Sequence, residues 1–265
     1  MEETMSFTLQ IKNSEGTVSK EAAGDNRADL VYEAEYAPGD VITLSLSEYP
    51  AFIKLRFDET LGDSLNYITG PVTFEIPFGE KKTSYSPVSF TGAKHYLTVR
   101  RAYEFEYASY RNLALNPNDS HGSDTLFPHA HANVETRGEA VFAARNAVDG
   151  VCVNYSHGEW PFESWGINRR DDAELTVDFG KTVEVDRILL YTRADFPHDN
   201  WWESVTFSFS DGEKLVTKLH KSTECHEILF KKKKTDSITL SDLIKADDPS
   251  PFPALTQIEV YGRYL

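Results

Sequence analysis

The chain has little cysteine and no long apolar run. Cys152 and Cys225 are the only cysteines in 265 residues, and two distant cysteines form neither a disulfide framework nor a zinc pattern. No stretch approaches the roughly 20 apolar residues that a membrane-spanning helix needs, and the first residues do not form a secretory signal. As written, the sequence predicts a cytoplasmic protein, which would be extracellular if a signal has been removed.

Positive charge is also scarce. The 27 Lys and Arg residues face 42 Asp and Glu residues, which gives a formal net charge of −15. Nucleic acids and anionic membranes bind clustered positive charge, so we expect neither nucleic-acid binding nor membrane insertion. The one basic run, Lys231 to Lys234, has acidic neighbours and indicates a solvated hairpin.

Helical periodicity is almost absent, and short runs of β-branched and aromatic residues recur between turn signals. This pattern is typical of β-sandwiches and jelly rolls. Strands are predicted in the first part at 7–11, 30–36, 41–46, 52–57, 72–76, 96–100 and 101–110, and in the second at 112–117, 173–179, 185–192, 204–210, 213–219, 226–230, 237–240 and 257–264. The fold class is therefore all-β, with two consecutive antiparallel β-sandwiches at residues 1–110 and 111–265.

Local turn signals complete this prediction for the second part. Asp178-Phe-Gly-Lys181 and Ser210-Asp-Gly-Glu213 are typical of hairpin turns, in which glycine supplies a positive φ. Residues 140–148 are predicted to form a short helix or turn.

The segment Arg193-Ala-Asp-Phe-Pro-His-Asp-Asn-Trp-Trp202 combines residues that a strand connection does not need. An indole packs against the apolar face of a sugar, and Arg193, Asp195, His198 and Asn200 offer donors and acceptors for its hydroxyls. Successive side chains of an extended segment point in opposite directions. We therefore expect either Trp201 or Trp202 to face the ligand and the other to lie in the core.

Five motifs in residues 111–265 occur in the order found in the discoidin-like, or coagulation factor V/VIII type C, family of jelly rolls, which this half resembles. They are Asn112-Leu-Ala-Leu-Asn116, Ala147-Val-Asp-Gly150 followed by Trp160 and Trp165, the strands Leu175 to Lys181 and Val185 to Tyr191, Phe207-Ser-Phe-Ser-Asp-Gly212, and Ile258-Glu-Val-Tyr-Gly262. The resemblance implies that the second sandwich is a discoidin-like, galactose-binding-like jelly roll. The first half has no such resemblance.

Many members of that family bind glycans, and the resemblance implies a sugar or oligosaccharide as the partner. Arg193 and Asn200 match the family's hydroxyl-contacting positions after a central strand. An early loop would add a polar or aromatic residue and a late loop an aromatic one, for which Phe252 is the candidate. The early-loop candidates are His129, His131, Arg137, Glu159 and Trp160.

The family also implies a structural Ca²⁺ site. Asp149 of the Ala-x-Asp-Gly motif and Glu259 of the closing strand match its ligand positions, and oxygen ligands suit this cation. Zinc is a further possibility, because His129-Ala-His131 places two imidazoles on one face, with His121, His157 and His198 as additional ligands.

The residues favour non-catalytic carbohydrate binding, but two alternatives remain open. The first is an intracellular enzyme acting on an imported sugar, with His198 and a carboxylate as acid and base. The second is a protein-interaction or assembly module built on exposed aromatics. Arg169-Arg170 beside Asp171-Asp172 is typical of a self-compensated surface loop. The sequence makes no prediction of the oligomeric state.

Overall fold

The first half of the chain contains two facing antiparallel sheets. The computed structural model describes residues 4–265; residues 1–3, where the predicted first unit begins, lie outside the described residues. Within the described part, this half consists of β1 (Ser6–Lys12), β2 (Val18–Asp25), β3 (Arg27–Tyr32), β4 (Val41–Leu46), β5 (Ala51–Arg56), β6 (Ser64–Ile68), β7 (Val72–Glu75), a 3-10 turn (Gly79–Ser84), β8 (His95–Arg101) and α1 (Glu104–Tyr107).

Alternating side chains explain how the two sheets meet. One sheet has the order β2-β1-β4-β7, and the other contains β6-β5-β8-β3. In β1, Leu9 and Ile11 point inward beside Leu44 and Ile42 of β4, while the intervening residues face outward. The opposite sheet contributes residues such as Ile53 to the same core, so the first half is a β-sandwich.

Four parts of the first half differ from the prediction. Strand β6 was not predicted, and the strand predicted at 30–36 ends at Tyr32. The predicted strand at 101–110 contains α1, because the Glu106 carboxylate accepts the backbone N–H of Tyr103 at 2.9 Å and closes a helical turn. Glu106 also accepts from Arg100 at 2.6 Å. The exposed strand β2 was not predicted because it presents no buried residue on either face.

The second half forms an antiparallel jelly roll around two unusually long strands. Its elements are β9 (Arg111–Asn112), β10 (Leu126–Phe127), β11 (His129–Ala132), 3-10 turns at Thr136–Gly138, Ala140–Phe142 and Ala144–Val148, and β12 (Trp165–Gly166), β13 (Leu175–Thr192), β14 (Trp202–Phe209), β15 (Lys214–Lys218), β16 (His226–Lys245) and β17 (Ala254–Tyr264). The 3-10 turns confirm the short helix or turn predicted at 140–148.

The long strands β13 and β16 run through both layers of the sandwich. The first part of β13 pairs with β11 and the end of β16, and its later part pairs with β17 and the beginning of β16. The register shifts between Asp178 and Val183, where Gly180 has a φ of +68°. The hairpin predicted at Asp178 to Lys181 is therefore wrong: this glycine bends one continuous strand.

The observed architecture confirms the all-β prediction. All strand pairs in the described residues are antiparallel, and the second half has its own core, which includes Trp165, Phe179, Trp202 and Phe207. The second predicted hairpin, at Ser210 to Glu213, connects β14 and β15. The protein therefore comprises two consecutive β-sandwiches, the second a jelly roll. No helix in residues 4–265 is long and apolar enough to span a membrane.

Buried hydrogen bonds and strand pairing join the two halves. Asn118 is fully buried; its Oδ1 accepts the Phe57 N–H at 2.9 Å and its Nδ2 donates to Ser64 Oγ at 2.8 Å. Strand β10 also pairs with β6 and so extends the first half's second sheet. The domain boundary at 110–111 stays a prediction, since chain on its C-terminal side contributes to both sandwiches.

Candidate functional site

The loop after β13 is held in place by its own backbone. The Arg193 N–H donates to the carbonyl of Ala254 at 3.0 Å, and the Ala194 N–H donates to that of Asn154 at 2.7 Å. The loop is thereby fixed to the beginning of β17 and to the segment that precedes Trp160. Three connections that are distant in sequence meet at this end of the jelly roll.

Asp199 organises the loop from within. Its buried carboxylate accepts Arg193 Nη2 at 2.6 Å and Nε at 2.9 and 3.0 Å, so the contact is a bidentate ion pair. The same carboxylate accepts the Asp195 N–H at 2.9 Å and lies 3.0 Å from His198 Nδ1. A bidentate Arg–carboxylate pair has a defined geometry, so Asp199 sets the direction in which Arg193 points.

Arg193 borders a pocket of about 440 Å³ at this loop end. Its Nη1 has a single long contact, 3.5 Å to Ser164 Oγ, and therefore retains donors for a ligand. We call this cavity the Arg193 pocket. Apolar, polar and basic residues from four loops line it. They are Thr136, Arg137, Phe142, His157, Gly166, Ile167, Asn168, Arg169, Arg193, His198, Pro251, Phe252, Pro253 and Ala254.

Planar side chains stack along the rim of this pocket. The rings of His157 and His198 lie 4.1 Å apart at 7°, and the ring of His198 lies 5.3 Å from that of Phe252 at 9°. The guanidinium of Arg169 lies 4.7 Å from the centroid of Phe252. Asp195 orients the stack, because its carboxylate lies 2.7 Å from His157 Nδ1.

Two groups of side chains could hold a metal ion among residues 4–265. His157, Asp195 and His198 offer ligand atoms within 4.8 Å of one another, as do Asp58, Glu59 and His95. The first group is on the rim of the Arg193 pocket and has the nitrogen and oxygen donors that suit zinc. The His129-Ala-His131 pair belongs to neither group, because the His129 ring lies 2.8 Å from Asp119.

The two candidate platform indoles lie in different surroundings, and the tryptophan platform stays a prediction. Trp202 is 0% exposed and belongs to the core of the second sandwich. Trp201 is half-buried outside the pocket, where Lys221 Nζ lies 4.8 Å from its ring. Trp160 is exposed, but its backbone N–H donates to Thr83 of the first half and it does not line the pocket. Phe252 supplies aromatic surface in the pocket.

Asn200 also has a different role from the predicted hydroxyl contact. Its side chain is buried, with Nδ2 donating to the carbonyls of Ala246 and Ser250 at 3.1 and 2.8 Å and Oδ1 accepting the Trp201 N–H. Both amide hydrogens are donated to backbone carbonyls, and burial keeps the side chain away from a ligand. Asn200 instead fixes the loop that carries Phe252.

Of the other predicted residues, four line the pocket or lie beside it, whereas the early-loop candidates His129, His131 and Glu159 do not line it. Arg137 lines it and pairs with Glu139 at 2.6 Å, with its guanidinium 5.4 Å from the Phe142 ring. His198 and Arg193 line it directly, whereas Asp195 acts on it through His157. The structure thus brings Arg137, Arg193 and His198 together, with Asp195 behind them.

Each predicted calcium ligand has an internal hydrogen-bond donor. Asp149 accepts the Val151 N–H at 2.9 Å, and Glu259 accepts the Tyr261 hydroxyl at 2.9 Å. On the closing strand it is the neutral Gln257 that contacts the Asp149-Gly150 turn, where its Oε1 accepts the Gly150 N–H at 3.3 Å.

The surroundings of Asp149 include the positively charged side chain of Arg145. Burial, and then the negative charge of Asp149, raise the pKa of Glu163 to about 8, while Arg145 favours the charged form of both carboxyls. Calcium binds six to eight oxygens, mostly from ionised or carbonyl groups. The calcium site at Asp149 and Glu259 stays a prediction.

Sequence reasoning missed Arg169 and Phe142 as pocket residues. Arg170 does pair with Asp172 at 2.6 Å, as expected of a self-compensated loop, but Arg169 does not share in that pairing. Asn168 and Arg169 both have positive φ, +49° and +59°, which turns Arg169 toward Phe252. The sequence around Arg169 carries no glycine to signal this conformation.

Fold and pocket together define an all-β protein with a ligand-sized cavity at one loop end of a jelly roll. A family model described as a domain of unknown function (DUF7402) matches residues 126–246. This match covers most of the jelly roll but less than half of the chain. No curated protein matches the chain.

Similar solved structures include three sugar-binding modules. Chitosan-binding module 1 of a chitosanase/glucanase from Paenibacillus sp. IK-5 is 22% identical over 57% of this chain and 98% of the module, with a TM-score of 0.38. A fucose binding module of Streptococcus pneumoniae, SpX-3, is 18% identical over 57% and 96%, with a TM-score of 0.39. The family 32 CBM from C. perfringens NanJ, solved with galactose, is 19% identical over 50% and 91%, with a TM-score of 0.37. Similarity at this level carries no inference about the ligand of this chain.

Proposed function

We propose that this protein binds a carbohydrate in the Arg193 pocket without transforming it. The observation that carries the proposal is that Arg193, whose Nη1 makes only one long contact, 3.5 Å to Ser164 Oγ, lines the same cavity as Phe252. Sugar rings present C–H faces that pack on aromatic carbon and hydroxyls that need directed donors. Both requirements are met within one pocket.

The size and rigidity of the pocket support this proposal. Its volume of about 440 Å³ lies within the roughly 300–1,000 Å³ typical of small-ligand sites, which suits one or two sugar units. Arg193 is held by buried Asp199, and the loop of Phe252 is held by buried Asn200. A pre-organised site loses little conformational entropy when the ligand binds.

The distribution of carboxylates favours binding over hydrolysis. Glycosidases need two carboxyl groups about 5–10 Å apart across the scissile bond, and none of the fourteen residues lining the Arg193 pocket is acidic. Asp195 and Asp199 lie behind the rim, in contact with His157 and Arg193. We therefore propose a lectin-like role, in keeping with the discoidin-like resemblance of residues 111–265.

A glycan array combined with product analysis tests the proposal. The purified protein is compared with Phe252→Ala and with Phe105→Ala, a control that removes an exposed phenylalanine from the first half. We expect binding without product, weakened at least about tenfold by Phe252→Ala, because loss of a buried aromatic contact is worth more than 1.4 kcal/mol. The control should bind like the wild type.

Three results would contradict the proposal. A released product would show an enzyme, and equal binding by Phe252→Ala would place the site elsewhere. Failure of the folded protein to bind any glycan on a broad array would remove the carbohydrate role.

A further inference from the structure

The Arg193 pocket is cationic although the protein as a whole is strongly acidic. Three arginines and two histidines line it, with no Asp or Glu, whereas the chain carries a formal charge of −15. A concentration of one charge sign in a cleft attracts ligands of the opposite sign. The charge of the lining therefore indicates which ligand charge the pocket favours.

Most of these basic side chains already lie beside a carboxylate. Arg193 pairs with Asp199, Arg137 with Glu139, and His157 with Asp195. Such pairs are close to neutral and can serve neutral hydroxyl groups. They do not by themselves call for an anionic ligand.

Arg169 is the exception. Within residues 4–265 it takes part in no ion pair with a carboxylate, and its guanidinium is exposed at the rim with the face of Phe252 as its neighbour at 4.7 Å. Its neighbour Arg170, in contrast, pairs with Asp172. Carboxylates are thus close by in sequence, but the backbone directs Arg169 away from them.

The backbone around Arg169 is fixed in this unusual direction. Asn168 and Arg169 are left-handed, at φ +49° and +59°, a conformation that costs energy for residues other than glycine. The Asn168 N–H donates to Thr136 Oγ1 at 2.9 Å, and the Arg170 N–H donates to the Ile167 carbonyl at 3.0 Å. A turn within the loop and one contact with Thr136 therefore hold the backbone at Arg169 in place.

We infer that the ligand is an acidic carbohydrate, one whose carboxylate or sulfate pairs with Arg169 while its ring packs on the Phe252 side of the Arg193 pocket. The inference rests on the proposed function and narrows its ligand class. A guanidinium binds a planar carboxylate or a sulfate through two parallel hydrogen bonds. Arg193 Nη1 and His198 then serve the hydroxyls.

Matched pairs of neutral and acidic sugars test this inference. Affinities are measured by calorimetry for galactose against galacturonic acid, glucose against glucuronic acid, and N-acetyllactosamine against its sialylated and sulfated forms. EDTA is present throughout, so that a metal held by His157, Asp195 and His198 does not bridge the anion. Comparing the sialylated with the sulfated form of N-acetyllactosamine shows whether a carboxylate or a sulfate is preferred.

The expected result is a preference of at least about tenfold for one acidic form over its neutral partner, falling with added salt. In Arg169→Gln the ratio of acidic to neutral affinity should fall to near one. The matched control Arg170→Gln removes a neighbouring arginine of the same loop and should keep the preference. Circular dichroism of each variant shows whether it is folded.

Failures of the two ideas are distinguishable. Equal affinity for neutral and acidic members, with loss of both in Phe252→Ala, would overturn the acidic class and leave carbohydrate binding intact. A preference that survives Arg169→Gln would also overturn the role of Arg169. Absence of binding to every sugar would overturn the proposed function and the inference with it.

Discussion

Arg193 and Asp199 form an ion pair in which both side chains are almost completely buried, 5% and 0% exposed, with Nη2 2.6 Å from Oδ1. Burying two charges is unfavourable unless they are paired and hydrogen-bonded. Here the pair also closes the loop, since Asp199 accepts the N–H of Asp195. One contact therefore links the stability of the loop to the orientation of an arginine that lines the Arg193 pocket.

Asp199→Asn should destabilise the protein by about 3–5 kcal/mol, because it leaves the Arg193 guanidinium buried without a counter-charge. Urea unfolding followed by circular dichroism measures this change. The exposed pair Arg170 and Asp172 provides the control: Asp172→Asn should leave the unfolding midpoint unchanged, since exposed pairs contribute little. If the two substitutions had equal effects, the Arg193–Asp199 pair would not be structural.

The adjacent tryptophans should respond differently to truncation. Trp202→Ala should lower the free energy of unfolding by about 3–5 kcal/mol, because a fully buried indole leaves a cavity. Trp201→Ala should cost much less, since Trp201 is half-buried among Phe196 and Lys221. Sugar affinity per folded molecule should change little in either variant. Specific loss of binding in Trp201→Ala would support the tryptophan platform predicted from the sequence.

The local pattern was sufficient to predict most strands. Strand β4 has the predicted bounds, because its apolar residues alternate regularly between two turn signals. The bend in β13 was not predictable from local sequence. Gly180 gives the same signal in a hairpin and in a bent strand, and pairing with the distant strands β16 and β17 decides between them.

The candidate site was predicted in part for a similar reason. Arg193 and His198 were predicted because the segment after a buried strand mixes polar donors and acceptors with adjacent tryptophans, which turn formation does not require. Arg169 and Phe142 were not predicted as pocket residues, because they lie on loops that meet only in the folded protein. Which of the two tryptophans points into the core depends on where strand β14 begins, and it begins at Trp202.

Calcium should not stabilise this protein. Asp149 and Glu259 have internal hydrogen-bond donors, and the neutral Gln257 occupies the position against the Asp149-Gly150 turn. A ligand at roughly 100 times its Kd adds about 2.7 kcal/mol of stability, which corresponds to several degrees in Tm. Calorimetric scans with EDTA and with excess calcium should give the same Tm. A rise of several degrees with calcium, lost in Asp149→Asn, would support the predicted site.

His129 should make stability depend on pH. Burial lowers the pKa of His129, but the hydrogen bond and negative charge of Asp119, 2.8 Å away, raise it by more, so the pKa lies above its ordinary value. Because the folded protein then binds the proton more tightly than the unfolded chain, the protonated His129 contributes stability that is complete below about pH 6.5 and is lost as the pH rises through the raised pKa.

The Tm of wild type should therefore fall more steeply above neutral pH than that of His129→Gln. The exposed His121 supplies the control, since His121→Gln should keep the wild-type slope. Equal slopes in all three proteins, measured by calorimetry from about pH 6 to about pH 8.5, would show that Asp119 does not hold a charged imidazole.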